Sequence, residues 1–174
     1  IGDPALRIDG RAKVTGQQIY PSDYFLDGML SLRVLRSPHA HAKILSIDTR
    51  AAEQATGVVC VLTAEDIPGD KMTGLSSPDM PVLCDELVRR QGDPIAIVAA
   101  ESDSIARRAC DLIEVAYELL PLISDPRQAM SPANHKLHPD GNIISELHIE
   151  NGAVDEIFAF AELVFEHEYT TSRQ

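Results

Sequence analysis

Gly92-Asp93-Pro94-Ile95-Ala96-Ile97-Val98-Ala99-Ala100 is the stretch that decides the fold: a Gly-Asp-Pro turn followed by apolar residues without a charge among them. A strand with one wet face alternates polar and apolar side chains, so an unbroken apolar run predicts a central strand covered on both faces. Ile97 would then lie in packed interior, and Ile97→Ala is expected to cost about 2–5 kcal/mol through the cavity it leaves. The clearest helix of the chain follows. Ser102, Asp103 and Ser104 offer N-cap oxygens, Ile105, Ala109, Leu112 and Ile113 repeat at helical spacing, and Arg107, Arg108 and Asp111 fall on the wet side. The chain returns as a strand over Glu114 to Leu120, where Val115, Tyr117 and Leu119 alternate with Glu114, Ala116 and Glu118 until Pro121 stops it. Strand, helix and strand in this order predict an α/β (α+β) class, a mixed sheet with one main crossover helix.

Working upstream, Leu30, Leu32 and Val34 alternate through Met29 to Arg36 as a half-buried strand that Ser37-Pro38 ends. Lys43 to Asp48 reads as a second strand. Helix formers over Thr49 to Ala55 lead to Gly57, where a left-handed exit is easy, and Val58 to Leu62 reads as a β-branched buried strand. Thr63-Ala64-Glu65-Asp66 starts a helical turn that Pro68-Gly69 stops. Asp70 to Pro81 collects glycine, serine and proline around Met72, Leu75 and Met80 and reads as a loop with apolar tips.

At the two ends the patterns weaken. Residues 1–18 read as an extended arm with turns at Asp9-Gly10 and Thr15-Gly16, ahead of a compact part over residues 19–124. Residues 125–141, with Pro126, Pro132 and Pro139, read as a Pro-rich linker, and residues 142–174 as a strand-helix-strand extension. The opening Ile1-Gly2-Asp3-Pro4 has neither a starting Met nor the basic-then-apolar order of a signal peptide, so the chain is expected to be a piece of something longer.

Composition narrows the function classes. A net charge of -12 repels phosphate backbones and anionic lipid, and 5% aromatics without Trp leave few stacking platforms, so neither nucleic acid nor a membrane is expected as a partner. No apolar run approaches the ~20 residues that a bilayer requires. Cys60, Cys84 and Cys110 are odd in number and widely spaced, which fits neither a disulfide framework nor a paired metal site and points to a reducing, cytoplasmic setting. Cys60 and Cys110 sit in apolar patterns and read as packing residues.

No reaction is legible from the side chains themselves. His39 and His41 are one residue apart, which on a strand could form a two-ligand metal edge or, beside Pro38, simply stabilise a turn. His135 and His138 lie in the Pro-rich segment, while His148 and His167 stand among glutamates on alternating strands. There is no GxSxG, no GxGxxG and no glycine loop ending in Lys-Ser or Lys-Thr. Pro94 removes an N–H donor from the Gly-Asp-Pro turn, so that turn is no phosphate cradle.

Three strings carry a resemblance: Arg7-Ile8-Asp9-Gly10 running on to Lys13-Val14-Thr15-Gly16, Ser37-Pro38-His39-Ala40-His41-Ala42, and Gly92-Asp93-Pro94 with its strand. In this order, with Ile44 to Asp48, Ala64 to Gly69 and Val115 to Pro121 between and after them, the chain resembles the start of the molybdenum-binding large subunit of the xanthine dehydrogenase and aldehyde oxidase family of molybdenum hydroxylases. The resemblance implies an α/β-hammerhead over residues 19–124 and the start of the molybdopterin-binding region over residues 142–174. The family's pyranopterin contacts, oxo-stabilising glutamine and catalytic glutamate would lie downstream, so no catalytic, cofactor-binding or metal-ligating residue is expected in this chain. The loop over Asp70 to Met80 corresponds to the mouth of the family's substrate funnel, with Met72 and Leu75 as access residues. In a complete enzyme, a molybdopterin-type molybdenum cofactor hydroxylates a purine, aldehyde or N-heterocycle with oxygen from water, and iron-sulfur clusters and FAD on other domains or subunits carry the electrons away. The implied partners are those domains or subunits, the remaining molybdopterin-binding domains and the small-molecule substrate. A free-standing acidic ligand- or partner-binding module without activity is the alternative, and a small metal-binding protein using His39 and His41 a third reading.

Overall fold

In the computed structural model, which describes residues 2, 5–75 and 78–172, Pro94–Ala100 forms the middle strand of a three-stranded antiparallel sheet. In chain order the elements are α1 (Gly10–Val14), β1 (Ser31–Arg36), β2 (Ala42–Asp48), α2 (Arg50–Glu53), β3 (Val58–Leu62), β4 (Met72–Thr73), β5 (Met80–Pro81) and β6 (Leu87–Val88). They continue with β7 (Pro94–Ala100), α3 (Asp103–Cys110), β8 (Glu114–Leu119), α4 (Pro126–Ala129) and α5 (Val154–Phe160). Packing divides the chain into Ile1–Asp125 and Pro126–Gln174.

In the first unit, β7 lies between β1 and β3, while β2 lies between β6 and β8 in a second antiparallel sheet. The helix α3 begins at Ser102, whose hydroxyl accepts the Ile105 N–H at 3.4 Å, and buries Ala106, Ala109 and Cys110 against Ala96, Val98 and Ala100 of β7. Alanines on both surfaces let helix and sheet approach closely. A second buried group, Ile44, Cys84, Val88 and Ile95, ties the end of β7 to the second sheet, and Leu35, Ile47 and Val115 pack against both groups. Gly57 has φ +83°, the left-handed exit expected after α2, and its carbonyl accepts the Glu101 N–H at 2.9 Å.

Several local expectations change in three dimensions. The strand after α3 does not return to the sheet it left: β8 pairs with β2, so the α/β-hammerhead is built from two antiparallel sheets bridged by one helix rather than from one mixed sheet. In β1, Leu32 and Val34 stand on the outer face and Leu35 turns inward, next to a register shift between Leu35 and Arg36. The strand β3 is an edge strand with Val59 exposed, not a buried one. Leu112 lies beyond the last helical residue, Cys110, and so falls off the buried stripe. Along β7, α3 packs on Ala96, Val98 and Ala100, Ile95 and Ala99 are buried as well, and only Ile97 of the apolar run keeps partial exposure, so the buried central strand expected from the sequence is present apart from that position. The arm holds one helical turn, α1, closed by Lys13 on Asp9 at 2.6 Å, where an extended chain was expected. The expectations for residues 1, 3, 4, 76, 77, 173 and 174 lie outside the described residues.

The second unit is held by turns. The Asn142 side chain accepts the Leu137 N–H at 2.7 Å and donates to the carbonyls of Ala129 and His135 at 3.0 Å each. The helix α5 follows the expected pattern, but the strands expected on either side of it are absent among the described residues, and Ile144, Leu147, Ile149 and Phe165 are exposed. Alternation creates a possible face, yet a strand needs a neighbour to take its N–H and C=O groups.

Candidate functional site

Folding joins two of the strings that lie far apart in sequence. The Ser37 N–H donates to the Asp93 carbonyl and the Gly92 N–H to the Ser37 carbonyl, both at 2.9 Å. The Ser37 hydroxyl, buried, donates to the His39 carbonyl at 3.1 Å and accepts the His39 N–H at 3.0 Å. Arg36 adds a guanidinium bond to the Gly92 carbonyl at 2.8 Å. The joint thus fixes the exit of β1 onto the entrance of β7.

Asp93 is the keystone of that joint, although in sequence it reads only as a turn residue. The residue is 5% exposed, and its carboxylate accepts the backbone N–H groups of Arg89 and Arg90 at 3.0 and 3.2 Å, together with Arg90 Nε–H at 2.8 Å. A buried carboxylate is tolerated only when donors replace its water, and here three do. The one signal of this in the sequence is Arg89-Arg90 closely preceding Gly92-Asp93.

The segment around Met72 and Leu75, expected as a plain loop, has a paired base. Met72 pairs with Pro81 and Thr73 with Met80, the Val82 N–H donates to the Lys71 carbonyl at 2.9 Å, and Thr73 Oγ1 donates to the Met80 carbonyl at 3.3 Å. Arg90 reaches from Asp93 to the Met80 sulfur at 3.8 Å, so the hairpin is tethered to the keystone turn. Leu75 projects fully exposed beyond the paired base, while Met72 and Met80 are partly covered.

The remaining candidates are engaged structurally. His41 is buried with Nδ1 at 2.6 Å from the Pro121 carbonyl, and the His39 ring meets the Tyr117 ring edge-on at 4.8 Å. Each imidazole therefore has its own partner. Burial pushes the Tyr117 hydroxyl upward, against a hydrogen bond with Ser37 that lowers it. The Cys84 thiol rises to about 11, first through burial and then through the Asp93 charge, and burial also raises Cys110. Such thiols are poor nucleophiles. Among the described residues no three His, Cys, Asp or Glu side chains come together to hold a metal ion. Two shallow depressions of about 310 and 290 Å³ are lined by Asp48, Arg50 and Glu114 and by Thr63, Glu65 and Asp85 respectively. Their carboxylates suit no phosphate-bearing pterin, and Arg50 is already paired with Asp48.

Two small antiparallel sheets bridged by a single helix, locked at the Ser37–Asp93 joint, define a hammerhead-type α/β module. The family model described as aldehyde oxidase and xanthine dehydrogenase, a/b hammerhead domain, matches residues 15–121, and the chain belongs to that family. It is 45% identical over 169 residues to a probable xanthine dehydrogenase subunit of Bacillus subtilis, a match covering 97% of this chain and 23% of that one. The nicotinate dehydrogenase large molybdopterin subunit of Eubacterium barkeri is 36% identical over 173 residues, 99% of this chain and 41% of its own length. Among solved structures, quinoline 2-oxidoreductase from Pseudomonas putida 86 matches with a TM-score of 0.80 at 31% identity, over 93% of this chain and 22% of that one. The chain therefore spans between 22% and 41% of the length of these relatives.

Proposed function

We propose that this chain is the substrate-side scaffold of a molybdenum hydroxylase large subunit, shaping access to a molybdopterin site built by polypeptide outside these 174 residues. The observation that carries the reading is 45% identity over nearly the whole chain to a protein more than four times as long. The described residues do not fit the cofactor itself: they offer no metal-ligating cluster, and the depressions are acidic. Their part is positional. The Asp93 turn anchors a hairpin, and the hairpin presents Leu75 where an apolar tip could narrow the approach of a purine, aldehyde or N-heterocycle. Iron-sulfur and flavin domains or subunits complete the electron path in this reading. The free thiols of Cys60, Cys84 and Cys110 support a reducing, cytoplasmic setting. Among the described residues no helix is long and apolar enough to cross a membrane.

Two measurements test this. The 174-residue chain, incubated with the molybdenum-loaded molybdopterin cofactor and assayed for bound molybdenum, is expected to retain none, and one-to-one retention overturns the proposal. In the full-length gene product, Leu75→Gly is expected to change KM by about threefold to tenfold for a bulky substrate with kcat held within about twofold. Unchanged KM across substrates of different size removes the hairpin from the access path.

A further inference from the structure

The first sheet has one face that α3 does not cover, and three large apolar side chains of its outer strands stay exposed there. Register places Leu32, Ala99 and Cys60 in one row across β1, β7 and β3, and Val34, Ile97 and Leu62 in the next. Residues directly opposite in antiparallel pairs share a face, and this is the face turned away from α3, because Ala96, Val98 and Ala100 take the helix side. Leu32 is 64% exposed, Leu62 38% and Val34 37%, while Ile97 at the centre is partly exposed and Ala99 beside it is buried. None of these six side chains is charged. The arginine between Leu32 and Val34, Arg33, belongs to the helix side, where it pairs with Asp103 at 2.5 Å. A contiguous apolar patch on a strongly charged chain marks an interaction surface.

We infer that this face docks apolar side chains of the same large subunit, supplied by polypeptide outside residues 1–174. The inference rests on the reading that the chain belongs to a longer subunit. Two observations select that occupant over a second copy. The relatives carry 59% to 78% of their length outside the matched region, ample chain to cover a sheet face. A second copy would instead bring another -12 charge against the first, and like charge opposes close association.

Cys60 sits in the patch, while Cys84 and Cys110 are buried with raised thiols, so maleimide labelling mapped to Cys60 reports on the face. The 174-residue chain, first checked for a cooperative urea transition, is expected to label at Cys60 at a rate independent of its concentration. In the full-length gene product that rate should fall at least about tenfold, with Leu32→Lys restoring it and Leu45→Lys, exposed on the other sheet, leaving it slow. Equal rates in the two proteins, or protection that grows with concentration of the 174-residue chain, overturn the inference. Molybdenum content of the full-length product separates the two levels: metal present with Cys60 unprotected sinks the docking face alone, and metal absent with Cys60 protected sinks the scaffold reading alone.

Discussion

Ile95 and Ile97 lie two residues apart on β7, and their replacement by alanine compares a fully buried position of that strand with the one that keeps partial exposure. Ile95 is fully buried in the group with Ile44, Cys84 and Val88, so Ile95→Ala removes packed atoms and leaves a cavity between the two sheets. A loss of about 2–5 kcal/mol is expected there. Ile97 keeps partial exposure, so water can fill part of the space left by truncation. About two-thirds or more of the transfer free energy of an isoleucine side chain is then at stake, about 1–2 kcal/mol, with little cavity added. With an m-value of about 1.5 kcal/mol/M, Ile95→Ala lowers the urea midpoint of the 174-residue chain by about 2 M and Ile97→Ala by about 1 M. Equal losses, or a larger one at Ile97, would refute this difference in packing between the two positions. In the full-length product the Ile97 loss should grow, because the docking face is occupied there.

Three further outcomes follow from named contacts. Asp93→Ala strands two backbone N–H groups and the Arg90 guanidinium, and should cost about 2–4 kcal/mol by urea melt, a loss below about 0.5 kcal/mol contradicting its place at the joint. Gly57→Ala puts a Cβ 2.7 Å from Ile105 Cδ1 on a backbone with φ +83°, and a destabilisation of about 1–3 kcal/mol is expected, whereas a stabilised variant would mean that the left-handed turn is wrong. The Arg50 guanidinium, followed by its N–H, holds the Asp48 carboxyl at about 2 instead of the ordinary 3.8. A depressed folded value stabilises above the unfolded one, so the Asp48 contribution is present above about pH 4 and lost as pH falls through about 2. The gap in urea midpoint between the native chain and Asp48→Asn should close over that window and shrink in high salt, and a gap constant with pH would exclude the pair as its source.

Local chemistry made much of the hammerhead legible. The Ser102 cap, the apolar run of β7, the left-handed turn at Gly57 and the stop at Ser37-Pro38 each depend on a residue and its near neighbours, and each stands where the sequence placed it. The candidate site was legible only as strings. Nothing in Ser37-Pro38-His39 or in Gly92-Asp93-Pro94 separately says that the two lock together, because hydrogen bonds bridging more than fifty positions leave no periodicity.

What the sequence by itself determined is the main strands and the capped helix of the first unit, since side-chain spacing and caps act within a few residues. Tertiary structure alone decided that β8 joins β2 instead of β7, that Leu35 rather than Leu32 turns inward, and that Ile97 keeps partial exposure while Ile95 is fully buried. Those outcomes depend on which distant strand supplies the N–H and C=O partners and on which face a helix can reach, and an apolar side chain carries no mark of either.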